Sequence, residues 1–204
     1  MQLITDKSKL DNLRKAHPVS DYFTDGICAY QYRTYDKYEL IQTPDTKDHN
    51  LFILLSGSAQ IYSLSSDGTK NPIATINAGM TIGEVELFGY YVPFFAEVAR
   101  KTECIVVSMS ECRRALLDDV VFLRFISALL AEKLAFGASM DYGTSDMADR
   151  VIYYLTSKPD HMITHVEEAT YDLRCSRSSL QRSLAQLCED GTIEKLGKGA
   201  YHLV

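Results

Sequence analysis

The hydrophobic period of the chain changes once, near residue 118, and this change limits the folds open to the sequence. Before it, short segments rich in β-branched and aromatic residues are separated by turn residues such as Asp25-Gly26 and Asp67-Gly68. The segment 59–64 alternates apolar and polar residues, as a half-buried strand does. Beyond residue 118, apolar residues recur every three or four positions, which is typical of helices. The sequence therefore predicts an α+β protein with its strands first.

The strands of the first half are numerous and short. The predicted segments are 27–32, 38–41, 51–55, 58–64, 72–76 and 103–109. Many short strands at this spacing, with Gly-containing turns such as 56–57 between them, favour an antiparallel barrel or jelly roll. We therefore predict an N-terminal antiparallel β jelly roll as a domain of residues 1–117.

One long helix is predicted at residues 118–142, with Asp118 and Asp119 at its start, where negative charge suits the helix dipole. It is apolar on two neighbouring faces, so it needs two packing partners. The stripe predicted to form the dimer interface is Phe122, Ile126, Leu129, Phe136 and Met140, and the adjacent face carries Leu123, Leu130 and Leu134. We predict that one partner is the β domain and the other is the same helix of a second subunit, which makes residues 118–144 a dimerisation helix and hinge. Burial within its own chain alone is the alternative.

The last 60 residues, 145–204, contain a pattern of short helices followed by a hairpin. Ser145 can cap a helix at 146–157, and Thr164 to Glu167 has the sequence of a capping box. A turn at 174–176 separates that short helix from a second one, capped by Ser176. The pattern then ends in two strands around a Gly-Lys-Gly tip at 197–199. This order predicts a C-terminal winged helix-turn-helix.

Polar side chains at the start of the second helix have the chemistry to read DNA bases. Arginine suits the acceptors of guanine, glutamine suits the acceptor and donor of adenine, and a lysine on the hairpin tip suits a phosphate. The segment from residue 174 to the end has five basic and three acidic residues, so it is locally positive although the whole chain has a net charge of -6. The predicted DNA-binding residues are Ser176, Arg177, Ser178, Gln181, Arg182 and Lys198.

Composition excludes several other classes of protein. The chain is 46% hydrophobic and 24% charged, as an ordinary globular protein is. No apolar run is long enough to span a bilayer, and the N-terminus lacks the apolar core of a signal peptide, so we expect a cytoplasmic protein without membrane contact. The five Cys are an odd number without a C-x-x-C pair, which predicts neither a disulfide framework nor a zinc site. No cofactor is predicted.

Two motifs resemble the Crp/Fnr superfamily of transcription regulators. Residues 79–88, GMTIGEVELF, resemble its G-x-x-[IF]-G-E-x-x-L signature, and residues 175–184, CSRSSLQRSL, resemble its recognition helix. The segments 84–87 and 116–124 are most similar to the YeiL-like branch. The resemblance implies a cyclic-nucleotide-binding-like sensor domain, a homodimer on a near-palindromic operator in double-stranded DNA, and RNA polymerase as a partner. It also implies that Gly83 and Glu84 lie in an effector pocket.

Two of the chain's departures from this family concern the pocket and the helix-turn-helix turn, and the first lies where the phosphate of a cyclic nucleotide binds. The family's Arg-Ser pair falls on Phe94 and Phe95, and a phosphate buried without a cation is costly. We therefore predict a degenerate pocket without affinity for cyclic AMP. An apolar ligand, a thiol-redox signal at Cys104 or Cys112, and no effector at all remain open. At the second place, Arg174 stands where the family has a Gly, which predicts backbone strain in the helix-turn-helix turn.

Two other classes of function are weighed against a transcription regulator. A stand-alone ligand-binding module could use its winged helix for protein contacts. A cupin-type enzyme would need several His and a carboxylate around a metal, but the predicted barrel holds only His49, with His17 ahead of it. We therefore predict that the chain is not an enzyme.

Overall fold

The computed structural model describes residues 1–46, 49–91, 93–141 and 146–204, without the side chains of residues 136–141. Contacts divide the chain into two compact units. The first consists of Met1–Ile61 and Ile76–Leu134, and the second of Tyr62–Thr75 and Ala135–Val204. The domain boundaries predicted after residues 117 and 144 stay a prediction.

An antiparallel sheet dominates the N-terminal half. Its strands are β1 (Gln2–Leu3), β2 (Tyr30–Tyr35), β3 (Leu40–Gln42), β4 (Asn50–Leu64), β5 (Lys70–Asn77), β6 (Thr81–Ile82) and β7 (Phe95–Ser108). They lie in the order β1-β2-β7-β4-β5, with β3 also paired to β7 and β6 to β4. The last strand, β7, lies between β2 and β4, which are distant from it in sequence, as in a jelly roll, and the predicted fold class is confirmed.

A single strand, β4, replaces the two strands predicted at 51–55 and 58–64. The turn predicted at residues 56–57 is wrong because Gly57 takes a φ of +78° without interrupting the strand. A Cβ on Gly57 would lie 2.2 Å from the carbonyl oxygen of Lys101, so glycine lets β4 and β7 approach closely.

Four α-helices accompany this sheet among the described residues up to 141. They are α1 (Lys7–Ala16), α2 (Glu84–Leu87), α3 (Met109–Leu117) and α4 (Val120–Asp141). The core of this unit joins residues from the sheet, α3 and α4, and its fully buried members include Phe23, Leu51, Ile53, Ile105, Leu116, Phe122 and Ile126. None of the helices in the described ranges is both long and apolar enough to cross a membrane.

Asp119 caps α4 and connects it to the loop near Thr24. Its carboxylate accepts hydrogen bonds from the backbone N–H and the hydroxyl of Thr24, both at 2.8 Å, and from the N–H groups of Val121 and Phe122. Partial burial alone would raise the pKa of Asp119, but these hydrogen bonds together hold the pKa below its ordinary value. The acidic start predicted for this helix therefore acts through specific bonds.

The second unit holds the predicted winged helix-turn-helix. Its helices are α5 (Met147–Ser157), α6 (Val166–Asp172) and α7 (Arg177–Glu189), and its strands are β8 (Met162–Ile163), β9 (Ile193–Gly197) and β10 (Ala200–Leu203). The three strands form a sheet in the order β8-β10-β9. The fully buried core residues include Val151, Leu155, Leu173, Leu180 and Leu184.

The helix caps differ from the prediction at two places. Ser145 lies outside the described residues, and Asp146 is the N-cap of α5, accepting from the N–H of Ala148. The capping box predicted at 164–167 is wrong, because the N-cap of α6 is His165 and makes no side-chain capping bond.

Candidate functional site

Helix α7 separates an apolar face from a polar one. Leu180, Leu184 and Leu187 are buried in the core of the second unit. The predicted DNA-binding side chains of the first two turns, Arg177, Ser178, Gln181 and Arg182, are all exposed. Ser176 caps the helix as predicted, since its hydroxyl accepts from the N–H of Ser179 at 3.1 Å. The helix is therefore held by its leucines while its polar face stays open to a partner.

The turn before α7 adopts a strained backbone conformation. Arg174, which stands where the family has a Gly, has a φ of +49°. The backbone strain predicted for this turn is therefore present. Its Nε donates to the carbonyl oxygen of Ile73 at 3.1 Å, and the guanidinium of Arg150 donates to the carbonyl oxygen of Leu173. These bonds stabilise the turn that sets the direction of α7.

A second contact holds α5 to the end of α6. The hydroxyl of Tyr154 donates to Asp172 Oδ2 at 2.6 Å. Burial, followed by the negative charge of Asp172, raises the pKa of Tyr154, so the hydroxyl keeps its proton. The two helices that support α7 are therefore joined by a stable polar bond.

The hairpin of β9 and β10 exposes a lysine at its tip. Lys198 lies between the two strands and is exposed, and the next residue, Gly199, has a φ of +78° that suits the tight turn. Lys195 on β9 extends over the ring of Tyr201, with its Nζ 6.0 Å from the ring centroid. Of these two lysines, Lys198 is thus the one at the end of the wing.

The predicted effector pocket centres on Glu84, which is buried at the start of α2. Its Oε2 accepts from the hydroxyl of Thr81 at 3.0 Å, and its Oε1 accepts from Lys133 Nζ at 2.6 Å. Lys133 also donates to the carbonyl oxygen of Thr81 at 2.9 Å. Gly83 precedes Glu84 with a φ of +97°, and a Cβ there would lie 2.3 Å from the carbonyl oxygen of Asn50. Both oxygens of the carboxylate are therefore bonded within the chain.

The two phenylalanines predicted in the pocket lie next to β7. Phe94 is buried, and Phe95, the first residue of the strand, is half-buried. Neither supplies a positive charge or a hydrogen-bond donor from its side chain.

Comparison with known proteins identifies the domain that contains these residues. The family described as the cyclic nucleotide-binding domain matches residues 32–119. The chain carries a cyclic nucleotide-binding domain. It is also homologous to the regulatory protein YeiL of Escherichia coli O157:H7, with 27% identity over 154 residues that cover 73% of this chain and 70% of that protein.

Solved structures show the same fold around the cyclic nucleotide-binding domain. TTHB099, a transcriptional regulator of the CRP family from Thermus thermophilus, matches with a TM-score of 0.62 and 19% identity, over 84% of this chain and 91% of that one. FixK2 from Bradyrhizobium japonicum matches with a TM-score of 0.65 and 21% identity, over 86% and 92% of the two chains. The structural neighbours are Crp/Fnr family transcriptional regulators, and the resemblance predicted from the motifs is confirmed.

Helix α4, which follows the cyclic nucleotide-binding domain, uses its two apolar faces differently from the prediction. Phe122, Ile126 and Leu129 are buried in the core of their own chain, so this part of the predicted dimer stripe is not available to a partner. The side chains of Phe136 and Met140 lie outside the described residues. On the adjacent face Leu123 and Leu130 are half-buried, and Leu134 is 74% exposed.

The surroundings of Cys104 in the cyclic nucleotide-binding domain do not favour a reactive thiol. Burial raises its pKa to about 12, so the side chain stays protonated at neutral pH, and the thiolate is the reactive form. Cys112 is also buried, and its thiol donates to the carbonyl oxygen of Ala29 at 3.6 Å. Among the residues that the structure describes, no group of three His, Cys, Asp or Glu side chains could hold a metal ion.

The sequence interpretation missed the role of Lys133. The sequence did contain a sign of this role, because Lys133 places a positive charge at the next position of the apolar stripe formed by Phe122, Ile126 and Leu129. A charge on a buried face needs a partner, and Glu84 is that partner.

Proposed function

We propose that the chain is a homodimeric, sequence-specific DNA-binding regulator of transcription of the Crp/Fnr type. The observation that carries this proposal is the exposure of Arg177, Gln181 and Arg182 on α7, opposite the leucines that fix the helix in its core. A recognition helix needs such donors in its first turns, on a rigid support.

The exposed side chains divide into base readers and phosphate contacts. Arg177 and Arg182 suit the O6 and N7 acceptors of guanine, and Gln181 suits adenine. Ser176 and Ser178, at the start of the helix, can reach the sugar-phosphate backbone, and Lys198 at the wing tip suits a phosphate. Sequence specificity thus comes from three side chains, while the others add affinity.

The second subunit would pair along α4. Leu123, Leu130 and Leu134 recur at the spacing of a coiled-coil seam, and their side chains remain at least partly exposed. Two copies related by a twofold axis would place two recognition helices about 34 Å apart, one turn of DNA. The operator should therefore be a near-palindrome. Acting on DNA, the dimer would work in the cytoplasm, with RNA polymerase as its partner.

Selection from a random library of DNA duplexes tests the DNA-binding function. We expect the wild-type protein to enrich a near-palindrome with two half-sites one helical turn apart. Sedimentation should show a dimer, both free and on the selected duplex. Failure to enrich any sequence would favour the alternative, a ligand-binding module whose winged helix contacts proteins, and a monomer on DNA would contradict the dimer.

The cyclic nucleotide-binding domain, we propose, is degenerate and does not bind cyclic AMP. Phe94 and Phe95 offer no cation for a phosphate. Burying an uncompensated neutral polar group costs roughly 2–7 kcal/mol, and burying a charged phosphate costs more. An effector, if the protein has one, would be of another chemical class. Titration calorimetry should give no heat of binding with cyclic AMP or cyclic GMP, and micromolar affinity for either would overturn this part of the proposal.

A further inference from the structure

Lys133 of α4 makes two polar contacts with the cyclic nucleotide-binding domain. Its Nζ donates to Glu84 Oε1 at 2.6 Å and to the carbonyl oxygen of Thr81 at 2.9 Å. The two residues that accept from it lie 49 and 52 positions earlier in the chain. The contact therefore joins the long helix to the segment that contains the family signature.

The environment makes this contact strong. Glu84 is 7% exposed, and the hydroxyl of Thr81 occupies its other oxygen at 3.0 Å. Burying a carboxylate is costly unless a cation and hydrogen bonds compensate it. Lys133 is the cation that does so, and its own charge is balanced in return.

The contact lies at the far end of the apolar stripe. Phe122, Ile126 and Leu129 hold the first half of α4 in the core of the first unit. Lys133 continues the same face by one turn, just before Leu134, which is 74% exposed. The ion pair is thus the last described attachment of this face of α4 to the domain that precedes it.

We propose that the Lys133–Glu84 pair takes the place of an effector, because it fixes α4 to the sensor domain without a bound small molecule. DNA binding is then constitutive, and Lys133 is a positioning residue for it. This inference rests on the proposed function, since its main readout is affinity for DNA.

Three variants of the full chain test the tether. Lys133→Met removes the charge and keeps the length of the side chain, Lys133→Arg restores a cation, and Glu132→Gln removes a charge from the neighbouring exposed residue as the control. Each is measured for affinity to the selected duplex, without nucleotide, and for amide hydrogen exchange of residues 126–135.

We expect Lys133→Met to lower DNA affinity about tenfold, within the range of coupling between distant sites. Exchange of residues 130–135 should become faster, while that of α7 stays unchanged. Lys133→Arg and Glu132→Gln should stay near wild type in both measurements.

Two outcomes separate this inference from the proposed function. If wild-type protein binds no DNA sequence selectively, the proposed function fails, and faster exchange in Lys133→Met alone would still establish the tether. If the wild type binds DNA and Lys133→Met matches it in affinity and exchange, the tether is wrong. Should Lys133→Met not fold, Glu84→Gln replaces it, because it removes the charge of the carboxylate and keeps the shape of the side chain. Lower DNA affinity with faster exchange in Glu84→Gln supports the tether, and wild-type values of both contradict it.

Discussion

The outer face of α7 and the predicted pocket around Glu84 are both polar, but their polar groups differ in accessibility. On α7 the side chains of Arg177, Gln181 and Arg182 are exposed. In the pocket, Glu84 is buried with both of its oxygens bonded to side chains of the same chain. Accessible polar groups can recognise a partner, whereas groups that satisfy one another hold a fold together.

This difference in accessibility separates the inference of DNA binding at α7 from that of effector binding at Glu84, which motif matches alone would support equally. Both regions match a family signature, and both signatures include polar residues that act on a ligand in the family. Only the α7 region keeps those residues accessible, so the DNA-binding interpretation gains physical support. The matching Glu84, by contrast, is bonded to Thr81 and Lys133 of the same chain.

The largest expected effect tests the structural role of Glu84. Glu84→Ala leaves the charge of Lys133 without its partner, which should lower the free energy of unfolding of the first unit by about 3 kcal/mol, the lower end of the range for a buried pair. Arg182→Ala, at an exposed position, should change it by less than about 0.5 kcal/mol. Urea titration followed by tyrosine fluorescence measures both, since the chain has no Trp. Equal stabilities of the two variants would abolish the contrast.

Next in size is the loss of a base contact on α7. Arg182→Ala should remove a bidentate bond to guanine and cost roughly 1–3 kcal/mol at one position of each half-site. Binding to a panel of single-base operator variants measures this loss. A uniform drop across the panel would show that Arg182 contacts a phosphate, and Arg177 with Gln181 would then carry the readout.

Asp119 is a third case in this comparison, because its carboxylate is partly exposed and yet accepts hydrogen bonds within the chain on both oxygens. Asp119→Ala removes the cap of α4 and should cost about 1 kcal/mol of stability at pH 6. The pKa of this carboxyl is lowered in the fold, so its contribution is complete above about pH 5 and is lost as the pH falls through the lowered folded value.

The pH dependence gives the measurement for Asp119. Urea titrations of wild type and Asp119→Ala at pH 6 and near pH 3 should show a difference that shrinks in acid. Asp118→Ala is the matched control, since the side chain of the neighbouring Asp118 forms an exposed ion pair with Arg114 at 3.8 Å. A difference that does not change with pH would contradict the role given to the charge.

The smallest effect concerns the wing. Lys198→Ala should weaken binding of the dimer to all operators alike and reduce the slope of log affinity against log salt by about 1.8, which is one phosphate contact for each of the two subunits. Lys7→Ala, which removes an exposed lysine from α1, is the control and should leave the slope unchanged. A change of sequence preference in Lys198→Ala would move Lys198 into the group of base readers.

The periodic segments and the helices of the winged helix-turn-helix could be predicted from the sequence, whereas two helices of the first unit could not. The spacing of Leu180, Leu184 and Leu187 predicted the core face of α7, and the alternation at 59–64 predicted part of β4. Helices α1 and α3 were not predicted, although α3 buries Cys112 and Leu116 on one face. Helices of nine or ten residues depend on tertiary packing for their stability, so their local pattern is a weak signal.

The candidate sites show the same limit at the level of single residues. The exposure of Arg177 and Gln181 follows from helical spacing, which is a local property. The bond between Lys133 and Glu84 joins positions 49 residues apart, and no local pattern specifies which buried charge meets which. The sequence showed that Lys133 was unusual, but only the fold shows its partner.

The positive φ of Arg174 has a consequence for how this protein would respond to laboratory evolution. A residue such as arginine costs about 1 kcal/mol or more in the left-handed backbone conformation that Arg174 adopts. A library selected only for heat tolerance should therefore enrich glycine at position 174 repeatedly and independently. A library selected for DNA binding at moderate temperature should be under no such pressure, so the two populations would diverge first at this turn.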